Sequence, residues 1–324
     1  KKTKSPGSKI TAYYPMKNFK IFLVIIGMAL PLMGAAASVP AKKQHITIVM
    51  QAHSHPRIVF GTQKLSAALK AAGYEVNTLQ QSTLTEGLTI VVGTTGQVLI
   101  SKANQAWHLP LKKIAFHKEG FNITSSAQNN IVITGLDNSG ALYGCLEVAD
   151  RVKAKGVLPK NISFTDHPEM VLRGACIGMQ KSTYLPGRTV YEYPYTPETF
   201  PWFYDKGLWI KYLDQMAENR MNSLYLWNGH PFASLVKLKD YPYAVEVDDA
   251  TFKKNEEMFR FLTTEANKRG IWVIQAFYNI IVSKPFAERN HLKTQDRNRP
   301  IIPIIADYTR KSIAAFVQKY PNVG

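Results

Sequence analysis

Apolar and polar residues alternate in two different ways along the chain. From 42 to 166, short apolar strands and helical patterns are separated by polar turns. From 167 to 324, near-continuous apolar strands are each followed by a longer helical pattern, which is typical of a parallel sheet. We place the boundary just before residues 168–178, an apolar stretch that is interrupted by one arginine.

The pattern of residues 42–166 predicts a small α/β sandwich, in which helices cover a sheet. Helices are predicted over 60–72, 94–103 and 139–153, and strands over 45–50, 88–93, 113–116, 120–124 and 130–135. We expect the last helix to bury an apolar stripe formed by Leu142, Leu146, Val148 and Ala149.

The pattern of residues 167–324 predicts three strand-then-helix units. Strands are predicted over 171–179, 222–228 and 271–277, and helices over 207–219, 248–268 and 307–320. Asp248 and Asp307 are expected to cap the second and third helices, and Ile313, Phe316, Val317 and Tyr320 to be buried. Residues 321–324 are expected to turn into a fourth strand.

Two closures suit such a parallel sheet, an eight-fold barrel and an open doubly wound sheet. No glycine-rich nucleotide turn follows the first strand, and the strands end in aromatic and amide residues. These features favour the barrel, whose active site lies at the carboxyl ends of the strands. We therefore expect an incomplete (β/α)8 TIM barrel, truncated after its first three units.

Charge is concentrated at the N-terminus. Residues 1–37 hold six of the lysines behind the formal charge of +17 and no acid, which leaves +11 for the remainder. Because these remaining charges are scattered, a solvated basic surface is favoured and no nucleic-acid partner is expected. Residues 16–38 combine a basic start, an apolar run and small residues, as in a signal peptide. We interpret 1–37 as upstream residues and a signal peptide. The prediction is an exported, periplasmic or extracellular protein with no stable membrane span after cleavage.

Neither a metal nor a cofactor is expected. The pair His53 and His55 has no visible third ligand, so an exposed loop is favoured over a metal site. Residues 93–96 lack a full phosphate-binding pattern and are interpreted as a strand-to-helix turn. Cys145 and Cys176 lie in apolar surroundings, and we expect them to be buried free thiols.

Two motifs and their order carry a resemblance to known families. Residues 140–150, Gly-Ala-Leu-Tyr-Gly-Cys-Leu-Glu-Val-Ala-Asp, resemble the last helix of the non-catalytic domain before the barrel in β-hexosaminidases (glycoside hydrolase family 20) and α-glucuronidases (family 67). Residues 166–168 and 172–174 are similar to the domain junction and first barrel strand of that group. The resemblance implies a glycoside hydrolase whose partner is an oligosaccharide or polysaccharide, and the signal peptide implies that it is exported.

The resemblance implies a role for one residue, and the sequence differs from family 20 at one place. In family 20 the arginine of the first strand binds the sugar, and Arg173 matches it. Residues 178–181, Gly-Met-Gln-Lys, stand where family 20 usually has an aspartate and a further arginine. The family's Asp-Glu catalytic pair would fall after the fourth strand. We therefore expect the catalytic residues beyond residue 324, leave them unassigned, and expect this piece alone to be inactive.

Candidate substrate-binding residues stand at the predicted strand ends. Trp227, Asn228 and His230 follow the second strand, and Tyr278 and Asn279 follow the third. An indole offers a flat face to a sugar ring, and amides and imidazoles bond hydroxyl groups. Trp227 would equally suit the core. For Arg173 the alternative is a structural ion pair at the barrel bottom or the domain interface.

Some alternatives remain open from the sequence. The aromatic residues of the loop 180–206 suit a sugar-stacking platform, or a loop that packs its own rings. The same scaffold would also serve a non-catalytic glycan-binding protein, and an open-sheet nucleotide enzyme is the more distant rival.

Overall fold

Two β-sheets, one after the other along the chain, form the framework of the protein. A computed structural model describes residues 44–109, 117–181, 194–278, 280–300 and 302–324. These residues belong to one unit, Lys43–Gly324. Among them, no helix is long and apolar enough to cross a membrane.

The first sheet has six strands in the order β2-β1-β3-β5-β4-β6. Strands β1, β2, β3 and β5 run parallel, and β4 is antiparallel to both β5 and β6. The strands are β1 (His45–Met50), β2 (Glu75–Gln80), β3 (Thr89–Thr94), β4 (Phe121–Ser125), β5 (Ile131–Gly135) and β6 (Ser163–Asp166).

Helices cover both faces of this sheet, in agreement with the predicted α/β sandwich. They are α1 (Pro56–Ala71), α2 (Val98–Ala106) and α3 (Asn138–Lys155). The stripe Leu142, Leu146, Val148 and Ala149 of α3 is buried, as expected. On the other face, α2 packs Leu99 and Ile100 against Val91. Because both faces are covered, the central strands are apolar at nearly every position.

Two strands of this sheet escaped the sequence prediction. Both β2 and β6 are edge strands, and most of their residues are exposed. An edge strand with little buried surface lacks the apolar pattern that marks a strand. The strand predicted over 113–116 lies outside the described residues.

The second sheet is parallel, in the order β7-β8-β9. Its strands are β7 (Gly174–Gly178), β8 (Ser223–Trp227) and β9 (Trp272–Ala276). The helices that follow are α4 (Lys206–Glu218), α5 (Phe232–Leu235), α6 (Asp249–Lys268), α7 (Lys284–Arg289) and α8 (Pro303–Lys319). Short 3-10 helices lie at Pro201–Tyr204 and Pro242–Ala244.

Beyond β9, the end of the chain pairs with the sheet. Val323 forms a parallel bridge with Val273, and the Gly324 N–H donates to the Val273 carbonyl at 2.9 Å. This confirms the expected turn into a fourth strand position. The order and direction of the strands are those of consecutive barrel strands; closure into a barrel remains a prediction.

The two faces of the second sheet differ. Leu224, Leu226 and Val273 are fully buried in the core that includes α4 and α6. Alternate residues point the other way, and there Cys176 is exposed. The expectation of two free thiols is met, with Cys145 buried, but the expected burial of Cys176 is wrong. Its strand position turns it away from the helices.

The boundaries of two predicted elements also need correction. Strand β7 begins at Gly174, and the preceding Val171 is exposed. Helix α8 begins at Pro303, so Asp307 lies inside the helix and does not cap it. A proline fits the first helical position because it lacks only an N–H that would be unbonded there.

The burial expected for α8 is half correct. Phe316 and Tyr320 are buried, whereas Ile313 is 38% exposed and Val317 is 54% exposed. The buried rings pack against Phe259 of α6, which selects one narrow face of the helix.

Charged side chains join the first domain to the second. Lys64 of α1 contacts Asp214 of α4 at 2.7 Å and Glu218 at 2.9 Å. Arg269, just after α6, contacts Asp214 at 2.6 Å and Glu265 at 2.7 Å. Its guanidinium also lies 4.8 Å from the centroid of the Phe60 ring. With its side chain only 6% exposed, Arg269 is a buried cation that depends on both acids.

We expect Arg269→Ala to destabilise the protein by about 3 kcal/mol, because it leaves Asp214 and Glu265 without their buried partner. Urea unfolding at neutral pH measures the change. Arg260→Ala is the matched control, since Arg260 makes a more exposed pair with Glu256 on the same helix. An equal, small effect of both substitutions would contradict the structural role of Arg269.

The effect of Arg269→Ala should depend on pH. Burial alone raises the pKa of the Glu265 carboxyl, but hydrogen bonds from Lys268 and Arg269 outweigh burial and lower the pKa. A lowered folded-state pKa means that Glu265 stabilises the fold at neutral pH and loses this contribution in acid. The difference between wild type and Arg269→Ala should therefore shrink as the pH falls below about 4.

Candidate functional site

The carboxyl edge of the second sheet gathers aromatic side chains. Trp227 ends β8 and is 36% exposed. Its ring meets that of Tyr278, just beyond β9, edge to face with centroids 5.7 Å apart. The Tyr278 N–H donates to the Gly229 carbonyl at 3.0 Å, which ties the ends of the two strands together. The structure thus brings two predicted site residues into contact at one edge.

Asn228 holds this edge in place. It is 1% exposed, and its Nδ2 donates to the Met179 carbonyl at 3.1 Å. Its Oδ1 accepts from the His230 N–H at 2.9 Å. The amide therefore connects the end of β7 with the turn after β8. Such a buried, bonded amide orients neighbouring groups.

His230 connects the same turn to α8. Its Nε2 lies 2.8 Å from the Tyr308 hydroxyl, and its ring packs edge-on against Phe232. Burial lowers the pKa of His230 to about 3, so the imidazole is neutral at neutral pH. A neutral imidazole has one donor and one acceptor nitrogen, and one of them is engaged by Tyr308.

Asn279, the remaining predicted residue of this edge, lies outside the described residues. The described residues bring Trp227, Asn228, His230 and Tyr278 together after β8 and β9.

Arg173 lies at the opposite end of the sheet, just before β7. Its Nη2 donates to Glu119 of the first domain at 2.6 Å and to the Tyr143 hydroxyl at 3.1 Å. Its Nε donates to the Arg220 carbonyl at 2.8 Å. These contacts match the ion-pair alternative, and sugar binding by Arg173 stays a prediction. Arg173 directly precedes Gly174, the first residue of β7, so it lies at the amino end of this strand and not at the carboxyl edge.

Three carboxyl groups in the segments that follow the strands stabilise local structure. Asp205 accepts from the Leu208 N–H at 2.9 Å and caps α4. Glu246 accepts from the Lys284 N–H at the start of α7. Asp307 accepts from the Tyr241 hydroxyl at 2.7 Å. These contacts assign structural roles to all three.

The described part of the aromatic loop packs its own rings. Tyr195, Phe200 and Phe203 are buried, and the Tyr195 ring lies edge-on to the Phe203 ring with centroids 5.1 Å apart. Over residues 194–206, the loop therefore follows the self-packing alternative. Residues 182–193 lie outside the described residues.

Asn255 of α6 anchors this loop and was missed from the sequence. It is fully buried, and its Nδ2 donates to the Tyr195 carbonyl at 2.8 Å and the Ser234 carbonyl at 3.2 Å. Its Oδ1 accepts from the Tyr204 hydroxyl. The signal was available, since Asn255 shares a helical stripe with Phe252 and would be polar in the core.

The histidine pair and the glycine-containing turn, for which the sequence favoured structural roles, have such roles in the fold. The His55 side chain accepts from the Arg57 N–H and caps α1. The predicted strand-to-helix turn is present, but β3 extends to Thr94, so residues 95–97 connect β3 to α2. Among the described residues, no group of three or more His, Cys, Asp or Glu is arranged to hold a metal ion.

Part of the sequence matches a family model, and the structure matches a solved enzyme. Residues 31–148 match the model of the N-terminus of glycosyl hydrolase family 67. A solved family GH138 enzyme that targets the pectin rhamnogalacturonan II is 57% identical with a TM-score of 0.75. The alignment covers 86% of this chain and 38% of that chain. This chain is similar to glycoside hydrolases.

More distant structures agree on the fold alone. The β-N-acetylhexosaminidase from Bacteroides fragilis NCTC 9343 is 12% identical with a TM-score of 0.50. That alignment covers 86% of this chain and 51% of the hexosaminidase. A search of curated proteins found no match. The predicted resemblance to glycoside hydrolases is confirmed, and the chain spans well under half the length of the GH138 enzyme.

We expect Asn255→Ala to destabilise the protein by about 2–3 kcal/mol, because two buried carbonyl oxygens and a hydroxyl lose their partner. Urea unfolding measures the loss, and proteolysis within 194–206 reports whether the loop is released. Glu257→Ala, at an exposed position of the same helix, is the control. Unchanged stability in Asn255→Ala would contradict the anchoring role.

Proposed function

We propose that the protein hydrolyses glycosidic bonds in a pectic polysaccharide of the rhamnogalacturonan II type. One observation carries this proposal: 57% identity over 86% of the chain to a GH138 enzyme that targets rhamnogalacturonan II. The chain then contributes an N-terminal α/β domain and the first βα units of the catalytic domain. Because it covers 38% of that enzyme, the activity is proposed for the complete protein.

The carboxyl edge of the second sheet supports a role in sugar binding. The Trp227 ring is 36% exposed and meets the Tyr278 ring edge to face, so the pair offers exposed aromatic surface that suits the C–H face of a sugar ring. We assign sugar contact to this pair. Asn228 and His230 act as positioning residues, because their bonds connect the β7 end, the turn after β8 and α8. Asn279 remains a proposed sugar ligand.

Our proposal assigns no catalytic carboxyl group to the described residues. Glycoside hydrolysis normally uses two carboxyl groups that flank the scissile bond. The carboxyl groups of Asp205 and Glu246 in the loops, and that of Asp307 in α8, are engaged in helix caps and hydrogen bonds. The role proposed for the described residues is to bind and orient the substrate.

A second candidate substrate follows from the family model. The match of residues 31–148 to the N-terminus of family 67 favours an α-glucuronidase-like activity. A hexosaminidase-like activity is supported by the fold alone.

The protein is further proposed to be exported, on the basis of the basic and apolar pattern of residues 16–38. Finding residues 16–33 retained on the protein isolated from its producing cells would contradict export by cleavage.

The activity test uses the complete protein with rhamnogalacturonan II oligosaccharides. We expect release of a sugar, detected by chromatography of the products. Release from aryl glucuronides or hexosaminides alone would favour the second candidates. Binding of rhamnogalacturonan II without any turnover would favour the non-catalytic glycan-binding alternative and overturn the proposed hydrolysis.

Within that assay, Trp227→Ala should lower kcat/KM by about fivefold, since the loss of an aromatic contact costs on the order of 1 kcal/mol. Trp272→Ala is the matched control, because Trp272 is also exposed but begins β9 at the other end of the sheet. Both variants are first checked for an unchanged unfolding midpoint. Equal activities of the two variants would remove Trp227 from the site.

A further inference from the structure

A groove on the first domain, distant in sequence from the carboxyl edge, is lined by cations. It is formed by the last turn of α3, residues 157–162 and the edge strand β6, and we call it the α3–β6 groove. Its cavity has a volume of about 500 Å³. Arg151, Lys155 and Lys160 all line it.

Two of these cations are uncompensated. Arg151 pairs with Glu147 at 2.8 Å and lies 4.4 Å from the centroid of the Phe164 ring. Lys155 and Lys160 are exposed, and neither has an ion-pair partner among the described residues. The groove therefore carries net positive charge that the protein itself does not neutralise, and such charge attracts polyanions.

The groove also offers apolar and amide contacts between its charges. Val157, on one wall, is 55% exposed, and Leu158 and Ile162 are buried beneath. Asn161, also in the lining, carries a side-chain amide that can bond hydroxyl groups. Sugar rings carry both apolar C–H faces and hydroxyl groups, and a uronic acid adds a carboxylate. The groove has a complementary contact for each of these.

We propose that the α3–β6 groove binds an acidic polysaccharide, with the carboxylates of successive uronic acid residues near Lys155 and Lys160. The choice of this occupant rests on the proposed pectic substrate, and the positive charge of the groove rests on the structure alone. The groove holds the polymer at a second place on the protein, while the carboxyl edge of the second sheet contacts the sugar to be released.

A purely structural explanation of the lysines is available and testable. Lys155 stands in the last turn of α3, where a cation stabilises the negative end of the helix dipole. Lys70 stands in the last turn of α1, is exposed and has no ion-pair partner among the described residues, but it lies outside the groove. Lys70 therefore shares the helix-end role of Lys155 without lining the groove.

The test measures binding of polygalacturonate to the complete protein by calorimetry at low ionic strength. We expect Lys155→Ala/Lys160→Ala to weaken binding by about tenfold, because two exposed charge contacts are lost. Lys70→Ala should bind as the wild type does. Binding by the wild type should also weaken as salt is added, and a neutral galactan should not bind.

Three results would overturn the proposal. The wild type fails to bind polygalacturonate, the double variant binds as the wild type does, or Lys70→Ala weakens binding as much as the double variant. Turnover of short rhamnogalacturonan II oligosaccharides is measured in the same samples and should be unchanged in the double variant. Absence of turnover by the wild type would contradict the proposed hydrolysis. Unchanged polymer binding by the double variant would contradict only the proposed binding role of the groove.

Discussion

The contact between Arg173 and Glu119 is the interaction on which the arrangement of the two domains depends. The guanidinium donates to Glu119 at 2.6 Å, and Asn222 donates to the same carboxylate at 3.1 Å. Asn222 also accepts from the Arg173 N–H at 2.9 Å, so backbone and side chains form one closed network. This network joins the turn before β4 to the starts of β7 and β8. It therefore sets where the second sheet begins and how the first domain sits against it.

The remaining domain contacts follow the same principle. Lys64, Asp214 and Arg269 link α1 to α4 and to the end of α6, and Arg57 donates to the Asn267 carbonyl at 3.1 Å. Buried charges are costly unless each has a partner, so such a network tolerates few alternative arrangements. With the amino ends of β7 and β8 held against the first domain, their carboxyl ends and loops are left to build the site.

Much of the fold was predictable from local patterns, and much of the site was not. Apolar strands and helical stripes identified β1, β3, β5 and the three βα units, because burial on both faces leaves a strong signal. Edge strands β2 and β6 leave little signal. Trp227 and Tyr278 were placed correctly at one edge, because parallel strands end on the same side. Arg173 and Asn255 depend on partners more than 50 residues away in sequence, such as Glu119 and Tyr195.

The sequence by itself determined most of the buried strands and the longer helices, since those are set by local periodicity. It also determined the resemblance to glycoside hydrolases through short motifs. Only the tertiary structure decided that Arg173 serves the domain junction, that Cys176 faces away from the helices, and that the aromatic rings of residues 194–206 pack on one another. Those outcomes depend on contacts between residues that are far apart in the sequence. Local sequence patterns do not show which of these residues meet in the fold.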